Sequence, residues 1–246
     1  AIVNAGVLLH SESAAPSTRQ KGLQVIERQS RQMTRLLDDL LEVSRITQGK
    51  IELRKQVIDA RQVASDALVA LRERFSSRGI ELRVNLGLTP VWVEADPARL
   101  QQIIVNLLDN AAKYTAAKYP QSADSTPTWT SGSPPNTRRP ATASPPASIG
   151  RAEFELEVRD GAAVFTVTDN GIGIDPSLRE TIFEPFVQGA TTIHRTEGGM
   201  GVGLSVVRSL VNMHDGSIQA RSDGIGQGST FVVRLPLAPA SAVLPA

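Results

Sequence analysis

The 246-residue sequence predicts an α/β protein that is preceded by a helical segment. Apolar residues recur every three or four positions up to Thr47 and again after Asp96, which is the spacing of amphipathic helices. Between and after these stretches, runs such as "GIELRVNL" and "EFELEV" alternate apolar and polar residues, as half-buried strands do. Because both patterns occur in one chain, we expect helices and strands in the same globular unit.

The composition favours a soluble protein, because 41% of the residues are hydrophobic and 21% are charged. A formal net charge of +1 gives no general attraction to nucleic acid or to an anionic membrane. The sequence has no cysteine, which excludes disulfides and thiolate metal sites, and no apolar run approaches the roughly 20 residues of a membrane span. We expect no nucleic-acid partner, no membrane contact within this stretch and a cytoplasmic location, whether or not the parent protein has a membrane anchor.

The first 48 residues predict two helices. Residues 2–10 are apolar and are followed by "SESAAPST", a predicted turn in which Ser17 or Thr18 is a candidate N-cap. A long amphipathic helix is predicted from this turn to Thr47, with an apolar stripe that needs a packing partner. The first helix opens without a start signal, so we expect the chain to begin inside a helix of a longer protein.

The next elements are predicted from alternation and capping. "KIELRKQV", "GIELRVNL" and "VWVEA" are predicted strands, and residues 60–77 form a predicted helix. Asp96 and Pro97 are typical of a helix start, with Asp as N-cap and Pro at the first helical position. That helix is predicted to continue through Tyr114.

Residues 116–150 differ in composition from the rest of the chain. Of these 35 residues, 26 are Pro, Ser, Thr, Ala or Gly, so the segment cannot bury enough apolar area to offset its ordering entropy. It is predicted to be a disordered insertion. After it we expect a hairpin around Asp160 and Gly161, a short helix at "SLRETIF", a helix ended by Gly216, a terminal hairpin, and a linker-like tail at 239–246.

Two amides and a lysine on one predicted helix suit a phosphate-bound metal. Asn106 and Asn110 are four residues apart and share a face, and Lys113 follows one turn later. Mg²⁺ prefers oxygen ligands and commonly shares its coordination with substrate phosphates, which fits two amides beside a lysine. An isolated pair of amides more often caps or bridges helices.

Two Gly-rich stretches suggest a nucleotide pocket, although neither fits a P-loop or a dinucleotide fingerprint. Asp169 ends a predicted strand just before Gly171 and Gly173, where a carboxylate can accept a hydrogen bond from an exocyclic amine. The second stretch, "EGGMGVGLS", precedes a helix whose free N–H groups can bind phosphate. Taken alone, either stretch is also compatible with an ordinary turn or loop.

Taken in order, the motifs resemble those of the catalytic ATP-binding domain of sensor histidine kinases, within the gyrase–Hsp90–histidine kinase–MutL superfamily. "QQIIVNLLDNAAKYT" resembles the N box, "DNGIGI" the G1 box, "IFEPFVQ" the F box, "GGMGVGLS" the G2 box and "GQGSTFVVRLPL" the last Gly-rich box. "MTRLLDDLLEVSRITQGKIEL" is similar to the second helix of the dimerisation and phosphotransfer hairpin. The resemblance implies a hairpin at 1–48, truncated at its start, and at 49–238 a Bergerat-type α/β sandwich with helices on one face of a mixed sheet.

The resemblance also implies the roles of the site residues, with ATP and Mg²⁺ as ligands. Asn110 is the expected main Mg²⁺ ligand, supported by Asn106 directly or through water. Lys113 contacts phosphate and, with Asn106, belongs to the expected catalytic residues, while Tyr114 lines the nucleotide.

Asp169 is expected to read the adenine amine, with Thr230 behind it. Phe183 and Phe186 would anchor a lid that begins near Gln188. The other nucleotide-binding residues implied by the resemblance are Gly171, Gly173, Ile174, Phe186, Gly199, Gly201, Val202, Gly203 and Leu204.

The implied reaction is transfer of the ATP γ-phosphoryl group to a histidine and then to an aspartate of a response-regulator receiver domain, in a homodimer formed through the hairpin. The three histidines, His10, His194 and His214, lack the context of the family's phosphoacceptor, so we expect the acceptor upstream of this stretch. One alternative is a degenerate ATP-binding scaffold of the same fold. Another is a gyrase- or Hsp90-like ATPase, which is disfavoured because Asn106 stands where those enzymes have a Glu that activates water.

Overall fold

A computed structural model describes residues 16–47, 52–119, 149–188 and 200–243. The chain divides into two compact units. The smaller unit comprises Ala1–Glu52 with Phe183–Val206, and the larger one comprises Leu53–Ile182 with Val207–Ala246. None of the described helices is both long and apolar enough to cross a membrane.

The smaller unit contains the long helix α1, Pro16–Thr47. It begins at Pro16, so Ser17 and Thr18, proposed above as N-caps, lie inside its first turn, where proline is well tolerated. Several apolar side chains of α1 are exposed in the single chain, namely Leu23, Met33, Leu37, Leu40 and Leu41. The helix predicted at residues 2–10 lies outside the described residues.

The larger unit contains two sheets. In the first, β1 (Gln56–Asp59) pairs antiparallel with β3 (Trp92–Ala95). The second has five strands, in the spatial order β2 (Glu81–Asn85), β4 (Arg151–Arg159), β5 (Ala162–Asp169), β7 (Ser229–Pro236) and β6 (Ser217–Arg221). The pair β2–β4 is parallel and the other three pairs are antiparallel, so the sheet is mixed, as the resemblance implied.

Two helices, α2 (Ala60–Ser76) and α3 (Pro97–Lys118), cover one face of the five-stranded sheet. Helix α4 (Gly203–Met213) and the single turn α5 (Ala240–Val243) follow later in the chain. Helix α2 contacts β2, and α3 contacts β4 and β5. Strand β7 alternates buried and partly exposed residues along its length, as expected for a sheet with one covered face. The core between these layers is built from residues such as Phe75, Ile104, Leu108, Phe154, Phe165 and Phe231.

Local chemistry explains where several elements start. The carboxylate of Asp96 accepts hydrogen bonds from the N–H groups of Ala98 and Arg99 and so caps α3, with Pro97 at its first position. Asp160 and Gly161 have positive φ angles of 53° and 73°, which join β4 to β5 in a two-residue turn. The sequence predicted both features correctly.

Two predictions of secondary structure are wrong, one in the extent of a strand and one in the presence of a helix. The strand predicted at "KIELRKQV" begins only at Gln56, and residues 52–55 have no regular structure. The helix predicted at "SLRETIF" is absent from the structure: Pro176–Leu178 forms a single 3-10 turn, in which the Asp175 carboxylate accepts from Ser177 N–H, and non-helical turns follow. So short a segment gains too few backbone hydrogen bonds to sustain an α-helix.

Helix α3 continues beyond the predicted start of the insertion at residue 116. The helix ends at Lys118. Its last turn is held in the domain because Thr115 is fully buried and the Lys118 ammonium donates hydrogen bonds to two backbone carbonyls. At the other end, Gly150 is buried and its carbonyl accepts a 2.9 Å hydrogen bond from Glu81 N–H. Residues 120–148, the remainder of the predicted insertion, lie outside the described residues.

Candidate functional site

The carboxylate of Asp169 is buried at the end of β5, with only 6% of the residue exposed. Its Oδ1 accepts a 2.8 Å hydrogen bond from Gly171 N–H, and its Oδ2 accepts a 2.5 Å hydrogen bond from the Ser229 hydroxyl. Burial raises the pKa of Asp169, and these hydrogen bonds together with the nearby Lys118 charge oppose the rise. A carboxylate has about four lone-pair sites, so the two donors orient Asp169 and leave capacity for a ligand amine.

Thr230, predicted to stand behind Asp169, is on the opposite face of the sheet. Its hydroxyl lies 3.2 Å from that of Thr168, whereas Ser229 is the residue paired with Asp169 across β5 and β7. Side chains alternate along a strand, so an error of one residue moves the side chain to the other face. Ser229 therefore takes the position that was assigned to Thr230.

The glycines after Asp169 are required by close backbone packing. A methyl group on Gly171 would lie 2.7 Å from Oδ1 of Asp169 and equally close to the Tyr114 carbonyl oxygen. Gly173 has a φ of 71°, and a methyl group there would lie 2.1 Å from the carbonyl oxygen of Gly224. These positions shape the loop after β5, the stretch that resembles the G1 box.

The next residue of this loop, Ile174, is buried, and its N–H donates a 3.0 Å hydrogen bond to the Ser222 hydroxyl. Gly228 belongs to the last Gly-rich box, but its sequence context assigned it no individual role. A methyl group on Gly228 would lie 2.0 Å from the carbonyl oxygen of Asp169, and Gly228 has a positive φ of 76°. Both features require glycine at this position, but neither can be recognised from the sequence alone.

The residues predicted on α3 lie half-buried on one stretch of that helix. Lys113 Nζ is 4.9 Å from the centroid of the Tyr114 ring, and burial raises the pKa of Tyr114. The Tyr114 carbonyl accepts a 3.3 Å hydrogen bond from Ile172 N–H, which ties α3 directly to the loop after Asp169. The structure thus brings the N box and the G1 box together.

Asn106 and Asn110 fit the chemistry of a Mg²⁺ site. Within the described ranges, neither amide side chain hydrogen-bonds another protein group, so both oxygens are available to a ligand. The described residues also contain no group of three or more His, Cys, Asp or Glu side chains suited to hold a metal ion. Two amide oxygens supply oxygen donors without negative charge, so a Mg²⁺ ion held there would depend on substrate phosphates for its remaining ligands.

The residues of the G2 box lie in the smaller unit. Gly203 begins α4, and a methyl group there would meet nothing within 4 Å, so the helix start is open. Gly201 has a φ of 76°, and its carbonyl accepts a 3.1 Å hydrogen bond from Phe186 N–H. Val202 is buried, and Leu204 is half-buried in the first turn of the helix.

Phe186, an expected lid anchor, has a φ of 66° and is more exposed than buried. Phe183 is half-buried. Gly199 and the rest of the predicted lid at residues 189–199 lie outside the described residues. The first N–H groups of any α-helix have no acceptor within the helix, so the start of α4 is chemically suited to an anion.

Within the larger unit, a buried carboxylate at the end of β5 lies beside the amide-bearing helix α3. Residues 95–239 match the family described as "Histidine kinase-, DNA gyrase B-, and HSP90-like ATPase". The chain belongs to this family, which confirms the resemblance seen in the sequence.

Curated relatives narrow the family to sensor histidine kinases. The chain is 31% identical to the autoinducer 2 sensor kinase/phosphatase LuxQ of Vibrio parahaemolyticus, over 93% of this chain and 24% of LuxQ. It is 34% identical to the circadian input-output histidine kinase CikA of Synechococcus elongatus, over 82% of this chain and 23% of CikA. The chain therefore spans about a quarter of the length of these relatives.

Solved structures of histidine kinases share the fold. Full-length ShkA in complex with AMPPNP superposes with a TM-score of 0.67 at 24% identity, covering 97% of this chain and 42% of ShkA. The histidine kinase ThkA in complex with the response regulator TrrA also superposes with a TM-score of 0.67, at 19% identity, covering 97% of this chain and 57% of ThkA. The α/β fold with a mixed sheet is thus confirmed.

Proposed function

We propose that the chain is the ATP-binding catalytic core of a sensor histidine kinase. The observation that carries the proposal is the buried Asp169 carboxylate, which is oriented by Gly171 and Ser229 and retains acceptor capacity. In a desolvated pocket, a hydrogen bond from an exocyclic amine to a carboxylate discriminates strongly between nucleobases. A base without that amine leaves the buried carboxylate charge without a donor. Adenine supplies such an amine.

In this proposal, the residues of α3 bind the phosphate tail together with its metal. Asn110 is the main Mg²⁺ ligand, Asn106 supports it, and Lys113 contacts phosphate, while Tyr114 lines the nucleotide. Mg²⁺ bound there supplies charge neutralisation for the phosphates. As the resemblance implies, Gly201 and Gly203 would contribute backbone N–H groups to phosphate binding. The same role is expected of Gly199, which lies outside the described residues.

The proposed reaction is in-line phosphoryl transfer to a histidine ring. A lone pair of the neutral imidazole attacks the γ-phosphorus of ATP, a nitrogen–phosphorus bond forms, and the bond to the ADP oxygen breaks. Since neutral imidazole is already nucleophilic near neutral pH, positioning and charge neutralisation carry the catalysis without a strong base. Asn106 has no proton-accepting side chain, which argues against the water-activating ATPase alternative.

His214 is not the acceptor, because it is 2% exposed and both of its ring nitrogens are hydrogen-bonded within the protein. His10 and His194 lie outside the described residues. The proposed acceptor is a histidine of the hairpin that includes α1.

We further propose that the protein is a cytoplasmic homodimer whose product is a receiver-domain phosphoaspartate. The exposed apolar side chains of α1 support the dimer, because a helix with such a stripe is stable only when the stripe is covered. The ThkA complex shows that a kinase of this fold associates with a response regulator. The proposed substrate ATP and the proposed receiver-domain partner are cytoplasmic, and this supports a cytoplasmic location for the domain.

Two measurements test the proposal. Titration calorimetry with ATP, with and without Mg²⁺, should show binding that Mg²⁺ strengthens. A form of the protein that includes the complete hairpin should then acquire an acid-labile, base-stable phosphate from γ-labelled ATP. Binding without any labelling would favour a degenerate ATP-binding scaffold, and release of free phosphate without a protein-bound intermediate would favour an ATPase.

A further inference from the structure

The ammonium group of Lys118 lies between two loops of the larger unit and has no part in the roles assigned above. Its Nζ donates a 2.9 Å hydrogen bond to the carbonyl oxygen of Asn170 and a 2.6 Å hydrogen bond to that of Gly226. Asn170 directly follows Asp169, and Gly226 lies in the loop between β6 and β7. One side chain therefore joins the last turn of α3 to both loops.

The donors that orient the Asp169 carboxylate lie in one of these loops and directly after the other. Gly171, next to Asn170, donates to Oδ1, and Ser229, the first residue of β7 after the Gly226 loop, donates to Oδ2. A shift of the Asn170 loop, or of the Gly226 loop that leads into β7, would move one donor away from the carboxylate. The positive charge of Lys118 also acts on Asp169 directly, lowering the pKa that burial raises.

The two loops are bonded to each other as well as to α3. Gly226 N–H donates a 2.6 Å hydrogen bond to the carbonyl oxygen of Ile172, and Ile172 N–H donates to the carbonyl oxygen of Tyr114. Tyr114 and Lys118 are one helical turn apart on α3. These hydrogen bonds connect α3 and the two loops into one network, in which Lys118 is the charged residue and contacts both loops.

We propose that Lys118 is a positioning residue of the adenine pocket, which holds the Asp169 carboxylate in the orientation that reads the adenine amine. Lys118 acts through the loops and does not touch the nucleotide. The inference rests on the proposed function, because it takes Asp169 as the group that reads adenine. A charged donor bonded to two carbonyls is worth more than a neutral one, so its loss should be measurable.

The test compares ATP with purine riboside triphosphate, which lacks the exocyclic amine but keeps the ring and phosphates. Dissociation constants of both are measured by calorimetry for wild type, Lys118→Met, Lys118→Arg and the control Arg72→Met. Methionine has a similar length and no donor, arginine can donate to two carbonyls, and Arg72 is an exposed residue of α2. Urea unfolding of each variant reports stability separately.

In wild type, ATP should bind roughly tenfold or more tightly than the analogue, the loss expected for one hydrogen bond to a charged group. Lys118→Met should weaken ATP by about tenfold and the analogue by less than about twofold, so the preference for the amine is lost. Lys118→Arg should restore most of the preference, and Arg72→Met should leave it unchanged.

Other outcomes overturn the inference. If Lys118→Met keeps the wild-type preference, or weakens both ligands equally, Lys118 has only a structural role. If wild type itself shows no preference, the assignment of Asp169 fails and the inference falls with it. Lys118→Gln replaces the methionine variant if that variant does not fold. Its amide can still donate, so a smaller loss of preference is expected, and an unchanged preference again overturns the inference.

Discussion

The backbone N–H of Asp96 donates a 3.0 Å hydrogen bond to Nε2 of His214, a residue 118 positions later in the chain. The other ring nitrogen, Nδ1, lies 2.7 Å from the carbonyl oxygen of Leu210 and donates to it, since Nε2 is the acceptor. The buried ring is therefore neutral, and it joins the end of α4 to the N-cap of α3. Protonation of Nε2 would place two donors face to face.

Acid pH should destabilise the protein through His214. Burial lowers its pKa below the ordinary value of 6.5, and Lys55 acts in the same direction, while the hydrogen bond to the Leu210 carbonyl and the charges of Asp96 and Asp215 oppose the shift. Because the folded-state pKa is depressed, this contribution to stability is complete above pH 6.5 and is lost as the pH falls through the folded-state pKa.

Urea unfolding between about pH 7.5 and pH 5 measures this effect. The free energy of unfolding should fall more steeply with decreasing pH for wild type than for His214→Gln, whose amide does not titrate in this window. Equal slopes for the two proteins would show that other groups cause the acid sensitivity.

Replacing Asp169 by Ala should weaken ATP binding by about 1.5–3 kcal/mol, roughly 10- to 150-fold, because a desolvated hydrogen bond to a charged group is lost. The control is Asp223→Ala, which removes an exposed carboxylate from the loop between β6 and β7. Calorimetry should find the control unchanged. An Asp169→Ala variant with wild-type affinity would exclude the adenine assignment.

Ser229 and Thr230 offer a paired test of the site geometry. Ser229→Ala removes the hydroxyl that donates to Oδ2 of Asp169, so ATP affinity should fall by about 1.5–3 kcal/mol. Thr230→Val keeps the shape on the other face of the sheet and should change the affinity by less than about 0.5 kcal/mol. The reverse order of effects would restore Thr230 as the residue behind Asp169.

These residues show how far the sequence alone carries the structure. The cap at Asp96 depends on neighbours two and three residues away, so a local pattern predicted it correctly. The choice of Ser229 over Thr230 depends on the register between β5 and β7, and "GST" offers a hydroxyl to either face. Lys118 gave no local signal, because its two carbonyl partners are 52 and 108 positions away.

Replacing Asn110 by Ala should reduce the effect of Mg²⁺ on nucleotide binding, because an oxygen ligand is lost. Affinity for ATP should fall in the presence of Mg²⁺ and change little in EDTA, as measured by calorimetry under both conditions. The matched control is Asn212→Ala, on the exposed side of α4. If Asn110→Ala weakens binding equally with and without the metal, another residue holds it.

Removing residues 120–148 should change the free energy of unfolding by less than about 1 kcal/mol, since their composition buries little apolar area and a shorter flexible connection is slightly favourable. The two ends already meet, because a methyl group on Gly150 would lie 3.5 Å from Cδ2 of Tyr119, so a short Gly–Ser linker can replace the segment. The deletion must keep Lys118, whose removal would also break the two hydrogen bonds to Asn170 and Gly226. A second deletion that begins at Lys118 should therefore bind ATP more weakly than the first. A large loss of stability in the first deletion, measured by urea unfolding, would instead show that the segment packs on the domain.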